Sequence, residues 1–588
     1  MANTFTVTPC GQTEANDLIG RCFAGYQLWF GSPDCWGHWS PTKEVPSDTN
    51  YRTEMFPDCV EYPPEALHDT AFSPYPDGTP VRLYASKSPA TIDTHFRWMK
   101  EYGIDGVGVQ RFFGATSAEY AERDDFLAEI MRAAECHGRL AYMMYDTSGY
   151  GGGGEQALAR MKADVEVNVE PRMLASPAYA HAHGRPVMCV WGLSPLEGKR
   201  YPPADEALEL VRWLKERGYF VIGGLPDNSW AEETGPYAAV YAALDMISPW
   251  TPGRFREETL AAWVEDHLAR DLAYVHAHGQ EYQPVLHAGF AWSNFKSSGD
   301  PNVTPRTAGA FLWEQAKRYA AAGVRQAYFA MLDEYDEGTA LLKAAPDSYA
   351  LPNGTPYFQT LAADGFWLSS DFYLRLGGAV AKTLRGECAV SDDVPVPHSE
   401  GPVFWRNGFE MREACAKVRG GTATARLCAV DVCVPHGKVL EQEAVQLEVA
   451  SVLEGAVGDV CATGRYAFGF AGVCMSAGRC RVTYRLAKTA VTVSEGLTLS
   501  YKFRPLSAEG DCVGVDLLLD DGTRLSQYLP AALAPKGVFG GEDTAFADVE
   551  LVLPEELVGR TVTAVLVAYD AAGEGYFKAY LDDIILQR

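Results

Sequence analysis

Eight short apolar runs, most of them separated by segments of helical length, constrain the fold of this chain more than any other feature. The runs are Phe23–Trp29, Gly106–Gln110, Leu140–Tyr145, Pro186–Trp191, Phe220–Gly223, Asp245–Ser248, Gln283–His287 and Gln326–Leu332. Between them lie helix-like stretches such as Ile92–Tyr102, Ala118–His137, Glu206–Arg217, Glu257–His278 and Ala308–Ala322. Eight β/α units in one continuous array predict an α/β fold, a (β/α)8 TIM barrel. An open doubly wound sheet is the competing architecture, but it carries a Gly-rich phosphate turn after its first strand, and none is present. Gly151–Gly154 lacks the Lys-Ser/Thr of a phosphate cradle and reads as a loop.

After Gly386 the texture changes to short alternating runs: Val445–Leu453, Arg479–Leu486, Leu497–Phe503, Val513–Leu519, Thr561–Tyr569 and Ala579–Leu586. Period-two alternation with turn signals such as Asp520-Asp-Gly522 predicts a C-terminal β-sandwich. The expected division is a barrel over residues 1–390 and a sandwich over 391–588.

Charge and cysteines narrow the function classes. Fifty Lys+Arg against 77 Asp+Glu leave a net charge of −27, which argues against a phosphate-neutralising surface for nucleic acid. It also disfavours highly sulfated or uronate-rich glycans unless Arg111 or Arg254 lies in the site. No run approaches the roughly 18 apolar residues of a membrane span. No signal peptide is legible at the N-terminus. The expected location is secreted, periplasmic or cell-surface in a bacterium, with the cytoplasm as alternative. The 14 cysteines include no C-x-x-C pair, so free thiols are expected rather than a zinc site.

In a barrel of this kind chemistry sits at the carboxyl ends of the strands. The densest acidic cluster follows the eighth run, Met331-Leu-Asp-Glu-Tyr-Asp-Glu-Gly-Thr339. Glu334 and Glu337 lie three residues apart, at most about 10 Å in extended chain. Glycoside hydrolysis needs two carboxyl groups about 5–10 Å apart, one as acid and one as nucleophile or base. A solvated acidic loop or a Ca²⁺ site would show the same spacing. The first run leads into Gly25-Tyr-Gln-Leu-Trp-Phe-Gly-Ser-Pro-Asp-Cys-Trp-Gly-His-Trp39, where Tyr26, Trp29, Trp36, His38 and Trp39 form a candidate platform for sugar faces. Packing of Trp36 and Trp39 beneath the loop is the alternative. Arg111, Asp146, Trp191, Trp250, His287 and Trp292 follow the other strands and complete an expected aromatic and acidic rim, although His287 reads equally well as a core histidine.

These segments resemble a known family. Trp29-Phe-Gly-Ser-Pro-Asp-Cys-Trp-Gly-His-Trp39 is similar to the W-Y-G-x-P…D-G-x-W-x-H-W segment of glycoside hydrolase family 99, the endo-α-mannosidases and endo-α-mannanases. Asp333-Glu-Tyr-Asp-Glu-Gly-Thr339 resembles its N-E-W-x-E-G-T motif, and Met99–Val109 its W-M-x-x-A-G-I-D-x-V-x-V pattern. The resemblance covers roughly residues 20–385 and extends to the family 71/99-like bacterial proteins; the ending Tyr580–Leu586 resembles jelly-roll carbohydrate-binding modules. It implies a retaining hydrolase of an α-linked glycan, with an oligosaccharide or polysaccharide as partner and neither cofactor nor metal. It further implies that Glu334 is the base on the sugar's 2-hydroxyl, giving a 1,2-anhydro intermediate, and that Glu337 is the general acid/base. Asp333 stands where the family has Asn, Tyr335 where it has Trp, and Asp146 where it has a substrate-contacting Glu, so the sugar stays open. A non-catalytic carbohydrate-binding protein, or an enzyme using Asp146 with Glu334, are the other readings.

Overall fold

The structure, a computed structural model, describes residues 16–588 except 32, 113–116, 151–154, 196–199, 297–300, 355–356, 411–435 and 542. The Gly151–Gly154 loop and Cys10, Cys415, Cys428 and Cys433 therefore lie outside the described residues.

Each of the eight apolar runs becomes a strand of one curled parallel sheet: β1 (Cys22–Tyr26), β2 (Gly106–Phe112), β3 (Leu140–Asp146), β4 (Arg185–Trp191), β5 (Phe220–Leu225), β6 (Met246–Pro249), β7 and β8 (Ala327–Ala330). β7 comes in two pieces, Glu281–Tyr282 and Val285–His287. The first piece pairs with β6 through Tyr282 and Ile247, the second with β8 through Val285 and Tyr328. β8 in turn pairs with β1, so both ends of the ladder meet on one segment and the sheet curls into a TIM-like barrel. The connecting helices are α1 (Pro89–Tyr102), α2 (Ser117–His137), α3 (Glu155–Asp164), α4 (Ala204–Glu216), α5 (Ala238–Ala243), α6 (Glu257–His278), α7 (Ala310–Ala321) and α8 (Phe372–Leu384).

Local rules explain the elements. In α4, Ala207, Leu210, Val211 and Leu214 recur at i, i+3, i+4 and i+7 and are all buried, the stripe a helix needs to cover a sheet. α1 stops at Gly103, whose φ of 86° only glycine adopts without cost. The barrel interior is filled rather than hollow. Phe23 packs on Tyr142 at 5.3 Å, and the Tyr328 hydroxyl meets Met144 Sδ at 3.4 Å. A Cβ at Gly25 would stand 2.0 Å from Met331 Cε, so glycine makes room for this layer, which forms the floor of the site above it.

Two antiparallel sheets follow. Six strands (Val403–Asn407, Val445–Glu454, Tyr466–Cys474, Thr498–Pro505, Ala547–Val552, Gly575–Gln587) make one; four (Lys438–Glu443, Arg479–Thr492, Val513–Leu519, Thr561–Ala572) make the other. They share an apolar core of residues such as Phe468, Leu499, Phe503, Val515 and Val567, the arrangement of a sandwich. Tyr501 and Phe503 are among its buried residues. The sequence pattern misses four of the ten strands. Lys438–Glu443 is largely exposed and charged, and Ala547–Val552 alternates at the sheet edge with few apolar residues. Asp347 joins the two parts, accepting from Trp367 Nε1 at 2.5 Å and from Arg406 Nη2 at 2.8 Å. No helix of the described residues is long and apolar enough to cross a membrane, and every described cysteine is a free thiol.

Candidate active site

β8 ends at Ala330, and the chain turns across the carboxyl end of the barrel as Met331–Thr339. All of these residues but Glu337 are buried, and three side-chain and backbone networks hold the loop. Asp333 accepts the backbone N–H groups of Gln27 (2.9 Å) and Leu28 (3.1 Å), which locks the loop to the end of β1. Tyr335 donates its hydroxyl to Lys343 O at 2.9 Å, and its own carbonyl accepts from Glu54 N and Met55 N, both at 3.0 Å. Asp336 takes His38 Nδ1 at 2.9 Å, and the His38 ring is stacked on Trp29 with centroids 4.0 Å apart.

Glu334 and Glu337 occupy the centre of this frame. Glu334 accepts from Gln27 Nε2 at 3.3 Å and from Thr339 Oγ1 at 2.9 Å. Burial, then the charge of Glu337, then that of Asp336 raise it well above the ordinary carboxylate range. Glu337 is pushed up to about 7, first by burial and next by Asp336, with Lys296 and Arg52 opposing. Asp333 is likewise pushed up to about 7 by burial, against the two backbone donors. Burial and mutual repulsion favour the retention of at least one proton among Asp333, Glu334 and Glu337 at neutral pH. Hydrogen bonding distinguishes the central pair: the partners of Glu334 both donate, which suits a carboxylate, whereas the carboxyl of Glu337 has no such donor among the described residues.

Strand parity decides what forms the walls. Phe112, Asp146, Trp191 and Gly224 are in register across β2 to β5. Phe112 stacks on Trp29 at 5.8 Å, and Trp191 meets Trp250 edge-on at 5.6 Å. A Cβ at Gly224 would lie 2.4 Å from Trp191 Cδ1, so glycine lets the indole lie across β5. Asp146 is pushed up to about 6 by burial, opposed by hydrogen bonding from Ser148. Trp292 packs on Phe290 at 5.1 Å on the β7 side. Trp29, Asp146, Trp191, Trp250 and Trp292 are all partly exposed, as a cup wall requires.

Other expected rim residues lie elsewhere. Tyr26 alternates away from the cup and bonds His95 Nδ1 of α1 at 2.8 Å. Arg111, one residue before Phe112, points out of the barrel and pairs with the buried Asp164 of α3 at 3.3 Å. His287 is fully buried against Phe255 and Phe311 at 5.3 and 5.1 Å, and burial holds its imidazole neutral with a pKa lowered to about 3. Trp36 and Trp39 pack beneath their loop, Trp39 Nε1 donating to Tyr84 O at 3.0 Å. Tyr335 is buried under the site against Phe30 and Trp39.

The sequence reading missed Gln27, Phe112, Thr339, Glu54 and Arg52. Period-two alternation from Gly25 and from Gly108 would have found the first two. The last two sit in the β1–α1 connection, and only the folded chain reveals their return to the β8 loop. Among the described residues no group of three or more His, Cys, Asp or Glu is arranged to hold a metal ion.

No protein-family model matches the chain, and no curated protein does. Solved structures similar to it include two of the GH99 endo-alpha-mannosidase from Bacteroides thetaiotaomicron. Both are 14% identical over 63% of this chain, cover 98% and 99% of theirs, and have TM-scores of 0.43 and 0.44. The glycoside hydrolase domain of Endo-D from Streptococcus pneumoniae is 10% identical over 99% of this chain and 81% of its own, with a TM-score of 0.26.

Proposed function

We propose that the chain is a retaining glycoside hydrolase cleaving an α-linked glycan, with residues 1–390 as its catalytic part and 391–588 as a possible carbohydrate-binding module. The observation that carries this reading is the pair of glutamates, Glu334 buried and Glu337 partly exposed, three residues apart at the carboxyl end of the last barrel strand, beside a wall of partly exposed indole rings. Indole faces suit the apolar faces of sugar rings, and carboxyls suit their hydroxyls. Acid/base work at an acetal needs positioned carboxyls alone.

In the proposed reaction Glu334 reacts as the carboxylate, the form its donors Gln27 and Thr339 favour against the upward push of burial, and takes the proton of the 2-hydroxyl. That oxygen bonds to the anomeric carbon as the glycosidic C–O bond breaks. Glu337 gives its proton to the leaving oxygen; a pKa of about 7 keeps that proton available near neutral pH. Glu337 then takes a proton from water, the water oxygen opens the three-membered ring at the anomeric carbon, and Glu334 returns its proton to the 2-oxygen. Two inversions give net retention. Asp333 and Asp336 touch no substrate in this scheme and act by positioning and by charge.

The test is hydrolysis of a panel of α-linked oligosaccharides and polysaccharides by the wild type, Glu334→Gln and Glu337→Gln. The expected result is cleavage of at least one substrate by the wild type and a loss of about 10²–10⁴-fold in each variant. Glycan binding without cleavage by the wild type favours a non-catalytic binding protein. Near wild-type turnover by Glu337→Gln with loss in Asp146→Asn moves the acidic pair to Asp146 and Glu334.

A further inference from the structure

Beside Glu337 stand two cations, Arg52 and Lys296, that form no ion pair among the described residues. The segment carrying Arg52 is tied into the site: Arg52 N donates to Trp39 O at 3.1 Å, and Glu54 and Met55, two and three residues on, donate their backbone N–H groups to Tyr335 O. Glu54 then fixes a second segment, accepting from Ser293 Oγ at 2.6 Å and from Asn294 N at 2.7 Å at the start of the short helix Ser293–Lys296. Just before that helix, Ala291 N donates to Glu337 O at 3.0 Å. Two remote stretches of chain thus deliver Arg52 and Lys296 to the neighbourhood of Glu337, and the charges of both act on its carboxyl.

Their immediate partners are rings. The Arg52 guanidinium lies 3.9 Å from the Phe295 centroid, and Lys296 Nζ lies 5.4 Å from that ring and 4.9 Å from Trp292. Arg52 Nε is buried without a hydrogen-bond partner, and neither cation is ion-paired among the described residues. Like charges gathered about one ring repel each other, and a neutral sugar gives no return for assembling them. Two other basic residues near the strand ends are engaged: Arg111 with Asp164, and Arg254 with Pro226 O at 2.7 Å. In a chain of net charge −27, an unneutralised pair on an aromatic shelf at the mouth of the cup is a specific feature rather than background.

We propose that Arg52, Phe295, Lys296 and Trp292 form a subsite for an anionic substituent on the glycan: a phosphate or sulfate ester, or a uronate carboxylate. A guanidinium fork matches the paired oxygens of any of these, the lysine supplies a second point charge, and the rings seat the sugar that carries the group. The subsite rests on the hydrolase reading for its place in a reaction but not for its binding chemistry.

Titration calorimetry of the full chain with methyl α-mannoside, its 6-phosphate, its 6-sulfate and methyl α-glucuronide tests it and identifies which oxyanion is preferred. At least one anionic glycoside binds tenfold or more tighter than the neutral one at low salt, and the preference shrinks in about 0.5 M salt. Lys296→Met and Arg52→Met each cut the anionic-to-neutral affinity ratio about tenfold; Lys296 is exposed, so its truncation leaves the fold intact. The inference is overturned if all three anionic glycosides bind no tighter than methyl α-mannoside, or if Lys296→Met keeps the full preference. Because binding needs no cleavage, a chain that selects anions but hydrolyses nothing refutes the hydrolase reading alone, whereas one that cleaves neutral glycans without anion preference refutes the subsite alone.

Discussion

Replacing Glu337 with Gln stabilises the folded protein, and does so only as the pH rises out of the acid range. The Glu337 carboxyl moves from 4.5 to about 7 on folding, mainly through burial and next through Asp336. The folded state binds this proton more tightly than the unfolded chain, so folding is opposed once the proton must leave. Below pH 4.5 both states hold it and no cost arises; the cost grows between there and about pH 7 and is complete above. A difference of about 2.5 pH units, at about 1.4 kcal/mol for each, comes to about 3.5 kcal/mol. Gln is nearly isosteric and cannot ionise, so it recovers that amount in alkali and nothing in acid. For the roughly 360 residues from Cys22 to Leu384, an unfolding entropy of about 2.1 cal/mol/K per residue turns about 3.5 kcal/mol into a Tm rise of about 5 °C. Scanning calorimetry of both proteins from about pH 4.5 to about pH 8.5 reads the effect, with Tm values that coincide in acid and diverge above neutrality. An equal Tm difference at every pH, or one largest in acid, refutes the reasoning.

Three further perturbations probe the frame. Arg111→Met breaks a buried ion pair; Asp164 keeps Tyr145 and Asn168, so the loss of stability is about 3 kcal/mol by denaturation, the low end for such a pair. Loss of kcat/KM without loss of stability would instead put this guanidinium in the cup. Gly224→Ala forces the Trp191 indole to move, because the new Cβ would also meet Trp191 Cα at 3.0 Å; it costs about 1–3 kcal/mol and raises KM, and unchanged values in both assays contradict the wall described. Trp191→Ala removes one sugar-facing ring and raises KM by about 2–12-fold, with kcat less affected; a change confined to kcat would contradict a binding role.

The barrel was legible because its strands, buried on both faces, are continuous apolar runs that a helix-length segment separates. The acidic loop after β8 was legible for the same reason, since Glu334 and Glu337 follow directly on such a run. Side-chain direction was not. Tyr26 and Arg111 each lie one residue from a side chain that does face the cup, Gln27 and Phe112, and a period of two turns that single step into opposite faces of the sheet. His287 ends a strand as expected but packs against α7, which depends on how the helix layer closes. Arg52 and Glu54 carry no local signal, because their segment is placed by the hydrogen bonds of Glu54 with Tyr335, Ser293 and Asn294, more than 200 positions away along the chain. The sandwich edges were missed where exposed charged residues dilute the alternation, as in Lys438–Glu443.

The central claim is that Glu334 and Glu337 act in turn on one sugar with net retention at the anomeric carbon. Proton NMR of the first sugar released from a cleaved α-linked glycan, recorded before mutarotation, tests it most directly. The account predicts that the α-anomer appears first with the wild type and that neither anomer forms with Glu334→Gln or Glu337→Gln in the same time. Initial release of the β-anomer, or undiminished release by either variant, would contradict it.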